Sequence, residues 1–327
     1  MEQGQEPLIR IENLSIEFGK KGSRTPVVHN ISLTIHRGRT LGLVGESGCG
    51  KSVTSLAIMG LLPRNNTAVN GTVSFGGDNL LKISEDRMEK LRGNRISMVF
   101  QEPMTSLNPV FQVGDQISEV LRIHQGLRGA ANRKRCIEVL KMVQIPDAER
   151  VYQSYPHKLS GGMRQRVMIA MAICCQPALL IADEPTTALD VTTQAKILDV
   201  FRDLQGQMNT SMLFISHDLG VIAEIADEVA VLYAGRIVEQ ANAGVLYDKP
   251  LHPYTYGLIH ARKIAEHEEK RRLYSIPGMV PSPYARHQGC PFAPRCSLRQ
   301  ERCDTQLPEL EEVEPNHFVR CWEVQKG

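Results

Sequence analysis

The chain has 327 residues, 42% of them hydrophobic and 23% charged, with 38 basic against 36 acidic side chains. That length suits one large domain or a main body with a smaller appendage, and the composition is that of a globular protein with a sizeable core. A net charge of +2 gives no footprint for nucleic acid, the N-terminal "MEQGQEPLIRIENLS" has charges where an export signal needs an apolar run, and the longest apolar stretch, Val167 to Cys175, falls far short of the ~20 residues that span a bilayer.

From Leu8 to Phe18, "LIRIENLSIEF" alternates apolar and polar residues as a half-buried strand does, and "VVHNISLTI" at 27–35 repeats the pattern, which predicts an antiparallel sheet. "TLGLVG", "ALLIAD" and "SMLFIS" are short apolar runs, each followed by helix-compatible sequence, as buried parallel strands in an α/β core read. Between the first two runs, roughly at 103–175, "VGDQISEVLRIHQ" and "RKRCIEVLKMVQI" are apolar on one face at helical spacing and predict a helical insert. "DEVAVLYAGRIVEQA" predicts a strand pair turning at Ala234-Gly235. From Pro250 onwards prolines, a charged segment and half of all cysteines accumulate, so a domain boundary is expected near residue 246, with a body at 1–245 and an extension at 246–327.

"GESGCGKS" at 45–52 follows an apolar strand and opens a helical pattern, the context a phosphate-binding loop requires. The glycines let the backbone of Gly45, Ser47, Gly48, Cys49 and Gly50 turn tightly, so that successive N–H groups face phosphate oxygens at a helix N-terminus. Lys51 is expected to reach the β- and γ-phosphates and Ser52 to ligate Mg²⁺. "LLIADEP" at 179–185 ends a buried strand with two carboxylates: Asp183 is expected to hold Mg²⁺ and Glu184 to polarise the attacking water. A lone acidic pair at a strand end is ordinarily just solvated, but here the upstream loop gives it a partner. "SHD" at 216–218 ends the next apolar run and puts His217 within the same expected site, at the γ-phosphate.

"LSGGMRQR" at 159–166 places Ser160, Gly161 and Gly162 before a helix, a second anion-binding N-terminus. One nucleotide has little need of two such sites in one subunit, which points to a composite site closed over nucleotide on another copy or a related subunit. With this string the chain resembles the ATP-binding cassette (ABC) family over residues 8 to about 245. The resemblance implies an α/β P-loop NTPase core with an antiparallel β subdomain and a helical insert, hydrolysing ATP. It implies that Gln101 in "MVFQEP" contacts Mg²⁺ and the attacking water, that Ser160 and Gly162 contact a γ-phosphate in trans, and that Asp190 in "TTALD" links the two sites of a dimer. Phe18 resembles the aromatic that stacks on adenine, although an aromatic ending an alternating strand equally suits the core.

"HPYTYGL", "SIPGMVPSP" and "GCPFAPRC" resemble the C-terminal extension of ATPase subunits from oligopeptide, dipeptide and nickel importers. The resemblance implies uptake of peptides or a related small solute, with nickel or another non-peptide solute as the alternative. It implies two ATPase subunits, usually different, two transmembrane permeases and an external solute-binding protein, with this chain peripheral on the cytoplasmic face of the plasma membrane. A soluble ABC protein outside transport, or a module that binds ATP without turnover, is the competing reading. Cys290, Cys296, Cys303 and Cys321 follow a C-x5-C-x6-C-x17-C spacing that lacks the C-x2-C pair of common zinc sites. Reduced thiols this close suggest a metal centre. Four cysteines can satisfy a [4Fe–4S] cluster, and similar extensions are associated with one. Zn²⁺, with His287 or His317 as further ligands, and unliganded thiols are the alternatives.

Overall fold

The structure is a computed structural model, describing residues 6–187, 189–267, 276–279 and 288–325. Its strands are β1 (Pro7–Phe18), β2 (Thr25–His36), β3 (Thr40–Val44), β4 (Thr67–Phe75), β5 (Asp78–Asn79), β6 (Ile96–Val99), β7 (Leu179–Asp183), β8 (Ser211–Ser216), β9 (Glu228–Tyr233), β10 (Arg236–Asn242), β11 (Glu311–Glu314) and β12 (His317–Val319). The chain divides into two compact units, residues 1–8, 35–40 and 82–215, and residues 9–34, 41–81 and 216–327.

In the first unit β6, β7 and β8 run parallel, with Met98 opposite Ile181 and Ile181 opposite Leu213. Each of these strands is buried along its length, so the runs read as continuous apolar sequence rather than alternation. The expected helical insert is present as helices Pro103–Ser106, Val113–Gln125, Gly129–Met142, Ala148–Tyr152 and Gly161–Ile173. Val113–Gln125 buries Val113, Ile117 and Leu121 on one stripe and packs on Gly129–Met142, which buries Cys136, Val139 and Leu140. Asn132, buried between them, donates to the carbonyls of Ser118 and Leu127 (3.0 and 2.9 Å), so this polar group is satisfied inside the pair.

In the second unit β1 and β4 pair antiparallel in a sheet of order β2-β1-β4-β5, as the alternation at 8–18 and 27–35 predicts. β3 lies parallel to β9, β9 turns into antiparallel β10, and the sheet continues through β12 to β11. The β9–β10 turn falls at Ala234 and Gly235, both in the left-handed conformation that a two-residue hairpin turn needs (φ 45° and 75°). The tail, marked in the sequence by its prolines and cysteines, also carries regular structure. Residues 311–319 form two strands, and Val319 of β12 pairs with Glu239 of β10. Short strands with a polar outer face carry a weak hydrophobic pattern, which is why the sequence does not announce them. No helix among the described residues is long and apolar enough to cross a membrane.

Candidate active site

The loop expected to bind phosphate connects buried β3 to the helix Lys51–Ile58 in the second unit. Gly48 and Gly50 take left-handed φ values of 79° and 108°, the latter at the helix N-cap. Gly45 is demanded by proximity: a Cβ there would lie 2.2 Å from the Leu232 carbonyl oxygen. Lys51 is 4% exposed and donates to the carbonyls of Gly45 (2.7 Å) and Glu46 (3.1 Å), so its ammonium braces the loop's own backbone. The Cys49 side chain is buried, and burial raises its thiol pKa despite the nearby Lys51 charge. Only its backbone is therefore suited to a phosphate. The loop is tied at its back, where the Gly235 N–H donates to the Cys49 carbonyl (3.0 Å), and at its crest, where the Glu46 N–H donates to the Tyr254 hydroxyl (2.9 Å). Ser52 is half-buried in the first turn of the helix, and Phe18 is half-buried at the end of β1. His217 is exposed after β8, next to Asp218, which caps the following helix by accepting from the Gly220 N–H (2.8 Å).

The acidic strand end lies in the first unit. Asp183 is buried as the last residue of β7, and Glu184 follows it at φ 47°, a conformation uncommon for a side-chain-bearing residue. The turn is held by the Glu184 N–H donating to the Ile215 carbonyl (3.0 Å). Because β6 and β7 are neighbours, Gln101 just past β6 reaches Glu184: its Nε2 donates to Oε2 at 3.2 Å. Thr187 donates its hydroxyl to the same oxygen at 2.9 Å. The sequence singles out Gln101 and Glu184 separately; their junction and the Thr187 bond are not visible there, although a hydroxyl three residues beyond a strand-end carboxylate is a usable cue.

The signature segment is in the same unit. Ser160 caps the helix Gly161–Ile173, its Oγ accepting from the Met163 N–H (3.3 Å). Asp190 caps the helix Val191–Met208, accepting from the Thr193 N–H (2.9 Å) and hydroxyl (2.7 Å). The hydroxyl bond first, then the amide, holds its carboxyl below the usual carboxylate range. Thr193 also meets Gly162, where an added Cβ would stand 2.7 Å from the Thr193 methyl. Gly162 and Asp190 are thus joined through Thr193, a link the sequence leaves unmarked.

Residues 28–187 match the ABC transporter family. The chain is 48% identical over 316 residues to the probable peptide ABC transporter ATP-binding protein y4tR of Sinorhizobium fredii, covering 96% of this chain and 94% of that one. It belongs to the ABC transporter ATP-binding family. The oligopeptide transport ATP-binding protein AppD of Bacillus subtilis is 47% identical over 96% of each chain. The fold agrees with the dimeric bacterial ABC transporter cassette MJ0796 (TM-score 0.63, 28% identity, 72% of this chain and 98% of that one). A post-hydrolysis state of that cassette, bound to ADP and Pi, gives a TM-score of 0.64 at 26% identity over the same shares. The chain is an ABC-type ATPase, with ATP as its nucleotide.

Residues 238–303 of this ABC ATPase match the oligopeptide/dipeptide transporter C-terminal region. Cys290, Cys296, Cys303 and Cys321 line one small cavity together with Phe292 and Trp322. All are free thiols. Burial is the main cause that pushes the Cys290 thiol up to about 11 and raises those of Cys296 and Cys321. The expectation of a metal centre is met in grouping only: among the described residues no three His, Cys, Asp or Glu side chains come close enough to hold an ion. His317, the other histidine considered for zinc, is not among the residues lining that cavity, and its Nε2 pairs with Glu239 at 2.8 Å, both buried. His287 lies outside the described residues.

Proposed function

We propose that this chain is the ATP-hydrolysing subunit of a membrane importer for oligopeptides or a related small solute. The match of residues 238–303 to the oligopeptide/dipeptide transporter C-terminal region, together with the relatives' names, supports the solute class. Hydrolysis rather than passive ATP binding is carried by one observation: Glu184 sits in a constrained turn with its carboxylate gripped by Gln101 and Thr187.

The residues divide the chemistry as follows. Lys51 exchanges its loop carbonyls for the β- and γ-phosphate oxygens, and the N–H groups of Gly45, Ser47, Gly48, Cys49 and Gly50 serve the same anion. Ser52, Gln101 and Asp183 would hold Mg²⁺, which supplies charge neutralisation on the phosphates. Glu184 orients and polarises the attacking water, His217 donates to the γ-phosphate, and Phe18 stacks on adenine. Ser160, Gly161 and Gly162 serve the nucleotide of a second ATPase subunit, with Asp190 linking the two sites. Such a dimer turns ATP binding into interface energy and drives two permeases fed by an external binding protein. The cassette spans residues 1–245 and the extension 246–327, peripheral on the cytoplasmic face of the membrane. The four cysteines suit a [4Fe–4S] cluster in donor type and number, as a staple for a module with little core of its own. Zn²⁺ is the alternative occupant.

Glu184→Gln tests the enzymatic reading: MgATP binding persists, steady-state turnover disappears and closed dimers accumulate. Unchanged turnover would remove Glu184 from the mechanism. Iron and acid-labile sulfide measured on anaerobically purified chain, about four of each, test the cluster; zinc instead would leave a structural staple.

A further inference from the structure

The phosphate loop has a partner 249 residues away in sequence. Glu46, between Gly45 and Ser47, is held at each of its polar groups. Its carbonyl accepts from Lys51 and its N–H donates to the Tyr254 hydroxyl. Its carboxylate receives a two-pronged grip from Arg295, with Nη1 on Oε2 at 2.6 Å and Nη2 on Oε1 at 3.0 Å. The Arg295 side chain is only 4% exposed. Its remaining N–H groups donate to the carbonyls of Pro277 (3.0 Å) and Ile276 (3.3 Å) and to the Tyr233 hydroxyl (3.4 Å), which accounts for the five donors of a guanidinium. The same group lies over the rings of Tyr233 and Phe292 (5.8 and 5.9 Å).

A buried, fully bonded guanidinium has one geometry, and a planar two-oxygen grip passes that geometry to its partner. Glu46 is therefore fixed, and with it the backbone that must present N–H groups to phosphate. Ordering this loop in advance lowers the entropy lost when nucleotide binds. Arg295 precedes Cys296, which lines the thiol cavity, so the order of the cysteine-bearing part of the C-terminal module reaches the phosphate loop through the Arg295 side chain, beside the bond from the Glu46 N–H to the Tyr254 hydroxyl. We infer that Arg295 is a positioning residue for nucleotide binding: the C-terminal extension holds the phosphate loop in its binding conformation through the Arg295–Glu46 pair. This rests on the reading of the loop as the ATP site.

The test measures MgATP affinity of the full chain by titration calorimetry, and KM and kcat for ATP in the assembled transporter. Arg295→Gln and Glu46→Gln are each expected to raise Kd and KM by roughly tenfold or more, the scale of a lost charge-assisted bond pair. The expected kcat stays within about twofold, because the groups that act on the transition state are untouched. The double variant is expected to be no worse than either single one, and Arg295→Lys to recover only part of the affinity, since an ammonium cannot span both oxygens. Should Arg295→Gln fail to fold, Glu46→Gln and Arg295→Lys carry the same comparison. Normal Kd and KM in these variants, losses confined to kcat, or additive effects in the double variant would overturn the inference while leaving the ATP site intact. Failure of the unmodified chain to bind MgATP would instead remove the ATP-site reading and the inference with it.

Discussion

Glu239→Gln isolates how the C-terminal strands are anchored. Glu239 has no exposed surface, and its carboxylate accepts from three donors: the Leu251 N–H and His317 Nε2 on Oε1 (2.7 and 2.8 Å), and the His252 N–H on Oε2 (3.0 Å). Glutamine keeps the volume, so packing is held constant. Whichever way the amide turns, its NH₂ group faces at least one N–H donor, and the pair repels. An orphaned buried donor costs about 1–3 kcal/mol and breaking one side of a buried charged contact about 3–5 kcal/mol, so a loss of roughly 3 kcal/mol is expected. His317→Gln leaves both backbone donors satisfied and is expected to cost less, about 1 kcal/mol. Urea denaturation gives the difference in stability, and limited proteolysis shows whether cleavage near residues 250 and 310 accelerates first. A loss below about 1 kcal/mol for Glu239→Gln, or equal effects of the two variants, would refute the claim that this carboxylate organises the β10–β12 junction.

Acid should loosen the same region. His252 is buried, its Nδ1 accepts from the Tyr254 N–H (3.1 Å), and burial lowers its pKa from 6.5 to about 4. Between those values the unfolded chain binds more protons, so the contribution is fully present above pH 6.5 and is lost as pH falls towards 4. The amount is on the order of 3 kcal/mol, and His252→Asn, which keeps an acceptor but does not titrate, is expected to flatten stability over that window in urea titrations at stepped pH. Thr187→Ala removes the hydroxyl bond on Glu184 Oε2 and leaves that from Gln101. Steady-state kinetics should show kcat reduced roughly five- to tenfold with Kd for MgATP unchanged; a change in Kd alone would place Thr187 outside the hydrolytic step.

What the sequence reveals and what it hides separate along a physical line. The strands, the helical insert and the Ala234-Gly235 turn are legible because they depend on local periodicity and on residues that tolerate positive φ. The strings at 45–52, 179–185 and 159–166 can be singled out for the same reason, each being a short stretch whose expected chemistry is set by its neighbours in the chain. Thr193 between Gly162 and Asp190, Glu239 beneath His317, and Arg295 on Glu46 leave no such trace, since each depends on a fold that brings distant residues together. Their residue types were still informative. A glutamate in the middle of β10, with buried Ile237 and Ala241 two residues to either side, must either face solvent or find donors, and an arginine among prolines and cysteines must find a carboxylate or carbonyls to be buried at all. The cysteines draw attention to the extension by their number, yet the side chain that grips the Glu46 carboxylate is the arginine beside them, because only a guanidinium can donate to a carboxylate, a hydroxyl and two carbonyls at once.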